Sequence, residues 1–265
     1  MPPGFPAIDR LLWLAAPWAL VFARVAGLAW TAPGWSTASL PARFRFGLAA
    51  CLTLLVGPLA TRGLAVPHDG AALGLALVVE AIVGAAMGAT ASLVIAGARQ
   101  AGEVVGAQAG LSPAALLDPD AGDGMNPLGH LYGWVALGVF VTLRGPTELV
   151  RAVAASYAAI PAGGGAGGAT VGAADLVDGL FAAVARALAL ALRAACPPAL
   201  ALLIAGLGLG LLGRAAPSLQ LVSLSLPVRT GLGLILAALG LVALAATLGT
   251  AWEAGFPFLP QTGAR

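Results

Sequence analysis

The sequence predicts an all-α, membrane-associated fold without a sheet, and three observations support this prediction. Of the 265 residues, 60% are hydrophobic and only 9% are charged, whereas about a quarter of the residues in a soluble domain are charged. The mean hydropathy is +0.96. Six apolar stretches follow one another along the chain, and prolines interrupt two of them. Helical hairpins with broken helices therefore fit the chain better than simple straight spans do.

Length decides which of the apolar stretches can cross a membrane, because a spanning helix needs about 20 apolar residues. The first and third stretches qualify. The second and fourth are short and are candidates for re-entrant or half-spanning helices, and the fifth is long enough for two passes. The stretches cover residues 11–30, 46–61, 71–98, 128–143, 176–213 and 219–250.

Prolines are expected to interrupt the last two stretches. Pro197-Pro198 removes two backbone donors and disfavours helix at the preceding residue. We therefore expect helices over 176–195 and 199–213 with a break or a sharp kink between them. Pro227 is expected to do the same in the sixth stretch.

Two segments are polar or irregular. Residues 99–127 are rich in Gly, Pro and Asp, and residues 161–175 contain a glycine tract that predicts a flexible exposed loop. The first 22 residues resemble a signal peptide, but no cleavage site follows, so we expect this N-terminus to be retained.

Composition and motifs exclude most soluble and catalytic functions. The net charge is only +2, without a basic run, which argues against nucleic-acid binding. Cys51 and Cys196 lie in apolar runs and are expected to be buried free thiols. His68 and His130 lie far apart without partners at ligand spacing, so neither a metal nor another cofactor is expected. Motifs for hydrolytic or redox chemistry are absent from the sequence.

The arginines do not define an orientation in the membrane. If six spans place both termini on one side, five arginines fall on each side, so the positive-inside rule gives a tie. This tie indicates that some apolar segments do not span lipid in the ordinary way.

Several charges fall inside apolar segments, where hydrocarbon would not tolerate them. Asp175, Asp178, Arg186 and Arg193 lie within an arc of roughly 80° on one helix. They form either an intramolecular stripe with an Asp178–Arg186 pair or a surface that faces a partner subunit or a lumen. Glu80 is isolated in its apolar helix, and we expect an arginine partner within the assembly rather than a role in proton transport.

Glycine spacing predicts close helix packing. One GxxxG pattern comprises Gly84 and Gly88, and residues 102–110 form a double one through Gly102, Gly106 and Gly110. Two such patterns separated by a short polar turn predict a tightly packed helical hairpin. At that turn, Arg99 and Glu103 lie one helical turn apart and are expected to pair.

The stretch 101–112, AGEVVGAQAGLS, followed by Asp118-Pro119, resembles the central motif of the FliR family of flagellar biosynthesis proteins in the type III export gate. Further similar motifs follow in the family's order over about residues 20–240: Arg24-Val25-Ala26-Gly27, Ala32-Pro33, Leu40-Pro41-Ala42-Arg43, Glu80-Ala81-Ile82-Val83-Gly84, Ser156-Tyr157, Ile160-Pro161, residues 210–217 and Leu226-Pro227-Val228-Arg229. The chain departs from the family pattern at Ser218-Leu219-Gln220 and at Gly145-Pro146.

The resemblance implies a single domain over residues 1–265 that acts as a non-enzymatic pore component in the bacterial inner membrane. Its implied partners are FliP-like and FliQ-like subunits, which form a helical ring with it, and FlhA-like and FlhB-like proteins on the cytoplasmic side. Unfolded flagellar subunits would pass through the lumen, driven by proton motive force and an associated ATPase.

The resemblance also implies roles for individual residues. Residues 107–127 correspond to a plug that closes the lumen at rest, although a plain extramembrane loop remains an alternative; this segment contains Gln108, Gly110, Leu111, Ser112, Asp118, Pro119 and Asp120. The residues expected to serve helix packing and assembly are Gly84, Gly88, Gly102, Glu103, Gly106, Arg214, Pro217 and Pro227. Arg214 and Pro217 would anchor the break between the last two helices, although Arg214 would also suit the membrane edge, with its side chain reaching the headgroups.

Two other functions remain open at this point. A small-solute secondary transporter would use broken helices at Pro197-Pro198 and Pro227 around a midplane site with Glu80. The homologous injectisome export subunit is the other alternative. A membrane enzyme has little support, since catalytic residue types do not cluster.

Overall fold

A computed structural model describes residues 6–35, 40–61, 66, 69–111, 126–163, 173–215 and 221–255. All regular secondary structure within these ranges is helical, and the all-α prediction is confirmed. The helices are α1 (Pro6–Thr31), α2 (Ala42–Ala60), α3 (Gly70–Gln108), α4 (Pro127–Thr142), α5 (Gly145–Ala159), α6 (Ala173–Ala215) and α7 (Leu221–Gly255).

Among the described residues, five helices are long and apolar enough to cross a membrane. Their candidate spans are Leu14–Thr31, Ala42–Ala60, Gly70–Gln108, Asp178–Leu212 and Pro227–Gly249. Helix α2 is one of them, although its sequence suggested a half-spanning segment. Helix α4, with 16 residues, is shorter than a span.

The predicted hairpin between the two GxxxG patterns is wrong. Helix α3 runs without interruption through 39 residues and carries both patterns. The polar residues Arg99, Gln100 and Glu103 lie inside it. Arginine, glutamine and glutamate are good helix formers, so the change from apolar to polar sequence alters the environment of the helix and not its backbone.

The expected break at Pro197-Pro198 is also absent. Helix α6 continues through both prolines for 43 residues, and α7 continues through Pro227. Each proline removes one hydrogen bond from the helix, but the flanking turns are rich in Ala and Leu, which favour helix. Pro198 is buried and lies beside Gly240 of α7. Neighbouring helices commonly make such prolines tolerable in apolar helices.

Helix α5 was not among the predicted apolar stretches, because polar residues such as Glu148, Arg151 and Ser156 interrupt its hydropathy. It follows α4 after Leu143 and Arg144 alone, and Arg144 adopts a left-handed conformation with φ of 58° at its N-cap. Pro146 lies in the first turn of α5, where its missing N–H has no helical partner to lose.

The chain packs as two compact units. Unit 1 contains the described residues of Met1–Ser92 and Arg144–Ala182, and unit 2 contains those of Leu93–Leu143 and Ala183–Gly255. In unit 1, α1 packs on α2 around buried residues such as Leu20, Val21 and Leu28. In unit 2, α4 packs on α7, with Tyr132, Leu244 and Leu248 fully buried. The single domain over residues 1–265 stays a prediction.

Both cysteines are exposed, so their predicted burial is wrong. Cys51 lies on α2 and Cys196 on α6, each on a face that the chain itself does not cover. Apolar sequence therefore did not imply burial within this chain.

Candidate functional site

The residues assigned to the plug surround segment 112–125, which lies outside the described residues. Ser112, Asp118, Pro119 and Asp120 belong to this segment. Gln108, Gly110 and Leu111 are described and lie at the point where the chain enters it. The structure thus defines how the chain enters and leaves segment 112–125.

The entry to segment 112–125 is a sharply ended helix. Gly110 adopts φ of 81°, a conformation that favours glycine. The Leu111 amide donates to the Gly106 carbonyl at 3.0 Å, and the Gly110 amide donates to the Ala107 carbonyl at 3.2 Å. These two bonds form a Schellman motif that terminates α3. Gly110 therefore lies outside the helix, and its predicted place on a helical GxxxG face is wrong.

The exit from segment 112–125 is held by Asn126, which is 1% exposed. Its Oδ1 accepts from the Gly129 amide at 2.9 Å and so caps α4. Its own backbone amide donates to Glu103 Oε1 at 2.7 Å. Its Nδ2 donates to the Glu103 carbonyl at 2.9 Å and to Oε2 at 3.0 Å.

The predicted pairing of Glu103 with Arg99 is thus wrong. Both Glu103 carboxylate oxygens accept from Asn126 instead. The Arg99 side chain lies against Gly133 of α4. A bond to the capping residue of a neighbouring helix is a tertiary contact, which residue spacing along α3 could not indicate.

Close backbone approach explains the glycines on both helices. A Cβ added to Gly102 would overlap the Leu128 carbonyl oxygen and lie 2.9 Å from Gly129 Cα. A Cβ added to Gly106 would overlap the Asn126 side chain. Since Leu111 also bonds to Gly106, both ends of segment 112–125 meet at one turn of α3.

Helix α7 contacts the same turn from another direction. Arg229 Nη2 donates to Gln108 Oε1 at 3.1 Å, and the Thr230 hydroxyl donates to the Ala109 carbonyl at 3.0 Å. Gly233 has no side chain, and this leaves room for Ala109. Sequence reasoning missed Asn126 and Thr230 as functional residues. For Asn126 the signal was available, because Asn followed by Pro is typical of a helix start.

A second polar cluster lies in unit 1 around a buried ion pair. Arg24 Nε and Glu80 Oε2 are 2.6 Å apart. Arg24 is 0% and Glu80 3% exposed. The arginine partner of Glu80, which we expected in the assembly, is therefore supplied by α1 of the same chain.

The remaining polar atoms of this pair also have partners. Arg24 Nη1 donates to the Ser156 hydroxyl at 2.8 Å and Nη2 to the Ile160 carbonyl at 3.0 Å, while Glu80 Oε1 accepts from the Gly163 amide at 3.0 Å. Arg24 Cζ lies 4.1 Å from the centre of the Tyr157 ring. Burial raises the pKa of the Tyr157 phenol, which therefore stays neutral beside the cation. The cluster joins α1, α3 and α5 through satisfied bonds.

Gly84 and Gly88 lie beside this cluster and contact α1. A Cβ on Gly84 would overlap the Arg24 carbonyl, and a Cβ on Gly88 would overlap the Thr31 hydroxyl. Gly27 of α1 faces α3 in the same way, since its Cβ would lie 2.8 Å from the Ala85 amide nitrogen. The two helices therefore approach each other at backbone distance.

The other predicted residues lie apart from these clusters. Arg186 is half-buried, Asp178 and Arg193 are exposed, and neither arginine belongs to the ion pairs found among the described residues. Arg214 is exposed in the last turn of α6, Pro227 is exposed within α7, and Pro217 lies outside the described residues.

Comparison with known proteins places these features in a family. The family described as Bacterial export proteins, family 1 matches residues 15–255. The flagellar biosynthetic protein FliR of Escherichia coli (strain K12) is 32% identical over 219 residues, which cover 81% of this chain and 80% of the relative. FliR of Caulobacter vibrioides is 28% identical over 86% of this chain and 89% of the relative. The Yop proteins translocation protein T of Yersinia pestis is 27% identical over 72% of each chain.

These matches cover most of each protein and include both unit 1 and unit 2. They favour a type III export apparatus subunit over a small-solute transporter. With its apolar helices and its family match over residues 15–255, the chain belongs to the FliR family of bacterial export proteins.

Proposed function

We propose that this chain is a non-enzymatic subunit of the flagellar type III export gate in the bacterial inner membrane. In this role it helps to form and to close the conduit through which unfolded flagellar subunits leave the cell. The flagellar FliR relative of Escherichia coli is 32% identical, against 27% for the Yop translocation relative, and this difference favours the flagellar system over an injectisome.

The observation that carries the gate is the meeting of both ends of segment 112–125 at Gly106. The segment leaves α3 through the Schellman turn and returns through the Asn126 cap, so α3 and α4 hold it like a closed loop. Segment 112–125 can then change position while both helices stay in place. Its three aspartates suit a wet conduit, and irregular backbone at membrane depth requires such a cavity or burial in protein.

The proposed partners are FliP-like and FliQ-like subunits beside this chain and FlhA-like and FlhB-like proteins on the cytoplasmic side. Large apolar side chains on α6 and α7 are exposed and available to such subunits; examples are Phe181, Leu188, Ile204, Leu211, Ile235 and Val242. The half-buried and exposed arginines of α6, Arg186 and Arg193, would face a partner or the conduit rather than lipid.

Two observations count against the transporter. Helices α6 and α7 continue through the prolines at which a transporter site would require unwound backbone. Glu80 is neutralised by Arg24 inside the chain, so it does not offer a free midplane carboxylate.

The test is to delete residues 113–124, which keeps Leu111 and Asn126 in place. Cells that express the complete gate are assayed for leakage of ions or small solutes and for secretion. We expect leakage to rise while the gate still assembles. A Gly-Ser segment of natural length at 112–125 serves as a second variant that keeps the chain length and removes the sequence. A gate with the deletion that assembles, secretes and does not leak would overturn the proposal.

A further inference from the structure

We propose that Arg229 and Thr230 of α7 position the last turn of α3 and thereby hold segment 112–125 in its closed place. This inference rests on the proposed gate and adds to it the residues that control its resting state. We call the contacts of Arg229 with Gln108 and of Thr230 with Ala109 the latch.

The latch uses the chemistry of a helix end. The last carbonyl groups of a helix lack intrahelical partners and carry partial negative charge. The Thr230 hydroxyl satisfies the Ala109 carbonyl at 3.0 Å. The Arg229 guanidinium lies at the same negative end and donates to Gln108 at 3.1 Å. Both contacts act on residues that immediately precede segment 112–125.

One face of α7 serves both ends of the segment. Arg229, Thr230, Gly233 and Ala237 fall within an arc of about 100° on an α-helix. The Ala237 carbonyl accepts from the hydroxyl of Tyr132 in α4 at 3.0 Å, and Tyr132 is 0% exposed. Asn126 caps that same helix α4. A movement of α7 would therefore reach the entry through the latch and the exit through α4.

The latch is built to release. Gln108 is neutral, and a bond from Arg to an amide is weaker than an ion pair with a carboxylate. Arg229 Nε is buried and has no hydrogen-bond partner among the described residues. The Arg24–Glu80 pair shows the opposite design, because every nitrogen of Arg24 has an acceptor. A partly satisfied guanidinium suits a contact that must break during opening.

The latch is tested in cells that express the complete gate, by measuring resting ion leakage and secretion rate. Gln108→Arg places two cations together and is expected to raise leakage roughly tenfold, because breaking a charged hydrogen bond shifts an equilibrium by at least about that factor. Gln108→Glu creates an ion pair and is expected to slow secretion without added leakage. Gln108→Arg combined with Arg229→Glu is expected to restore low leakage. A purely structural role would not produce opposite effects from two substitutions at one position.

A smaller change keeps the test valid if Gln108→Arg prevents assembly. Thr230→Val removes one hydroxyl and retains the shape of the side chain, and it is expected to raise leakage. Thr142→Val is its control, since the exposed Thr142 hydroxyl bonds only within its own helix in the described contacts. Leakage from Thr230→Val equal to that of Thr142→Val would overturn the latch.

The latch and the gate can fail separately. If the deletion of 113–124 leaks but Gln108→Arg in an assembled gate does not, the latch is wrong and the proposed function stands. If the deletion itself does not leak, the proposed gate is wrong.

Discussion

Arg24 and Glu80 illustrate how an apolar chain keeps charges inside. Removing a charge from water is costly, and the pair repays this cost only when the other polar atoms also find partners. Here Ser156, Ile160 and Gly163 supply them. A lysine could not replace Arg24, because three separate acceptors and the Tyr157 ring require a planar guanidinium.

Removing one member of this pair should be strongly destabilising. Glu80→Ala leaves the Arg24 cation buried without its partner, and we expect a loss of about 3–5 kcal/mol in the free energy of unfolding. The measurement is thermal or denaturant unfolding in detergent, followed by tryptophan fluorescence.

The control for this prediction is Glu148→Ala, which breaks the exposed Arg151–Glu148 pair of α5. Exposed pairs of this kind contribute less than about 1 kcal/mol. Equal effects of the two substitutions would contradict the special role of the buried cluster. The double change Arg24→Leu and Glu80→Leu should lie closer to the wild-type stability than Glu80→Ala does.

Glycine positions decide how closely the helices approach. Helix α3 carries two sets of small residues, and each set contacts a helix of its own unit: Gly84 and Gly88 contact α1, and Gly102 and Gly106 contact the start of α4. The contact with α1 is reciprocal through Gly27. The same pattern that predicted close packing therefore serves two different partners along one continuous helix.

A side chain at Gly84 should separate α1 from α3. Gly84→Leu would force its Cβ into the Arg24 backbone carbonyl, which cannot move without displacing the buried ion pair. We expect at least about 3 kcal/mol of destabilisation, the upper part of the range for overpacking. Gly74→Leu is the matched control on the same helix, because no atom lies within 4 Å of its added Cβ. Similar unfolding midpoints for both variants would argue against a tight α1–α3 contact.

A side chain at Gly106 should disturb both ends of segment 112–125. Gly106→Leu would displace Asn126 and remove the cap of α4, and we expect the variant to lose co-purification with FliP-like and FliQ-like subunits. Gly138→Leu in α4 is the control, since its added Cβ meets open space. Normal co-purification of Gly106→Leu would refute the prediction.

The whole molecule exposes much apolar surface on its long helices. Leu75, Val78 and Ile82 of α3 are about half exposed or more, as are many residues of α6 and α7. Isolated helices of this kind have to meet lipid or other subunits, and surfaces of this size are uncommon on soluble monomers. This composition is consistent with a membrane protein of the flagellar export apparatus.

The chain should depend on its proposed partners for stability. Co-expression with FliP-like and FliQ-like subunits is expected to raise its amount in membranes and its unfolding temperature in detergent, because binding to the folded state stabilises it. Co-expression with an unrelated membrane protein controls for a general effect on insertion. An unchanged unfolding temperature with and without the partners would contradict an obligate assembly.

Local sequence patterns predicted some residues of the site and not others. Glu80 was recognisable as a buried charge, and Gly84, Gly88, Gly102 and Gly106 as packing residues, because composition and spacing carry that information. The partners of Glu80 and Glu103 were not recognisable, since Arg24 lies 56 residues from Glu80 and Asn126 lies 23 residues from Glu103. The amphipathic helix α5 was missed because hydropathy alone does not reveal a helix that presents Ser156 and Tyr157 to a polar cluster.

By itself the sequence determined the all-α class, the apolar helices and, through its ordered motifs, the FliR family, because hydropathy and motif order are properties of the chain alone. Only the tertiary structure decided that α3 and α6 are continuous, that Glu80 pairs with Arg24, and that α7 holds the end of α3. The physical reason is that a proline or a polar turn changes local free energy by a few kcal/mol, which packing can overcome. Ion pairs and hydrogen bonds between distant residues, in turn, exist only once the helices have come together.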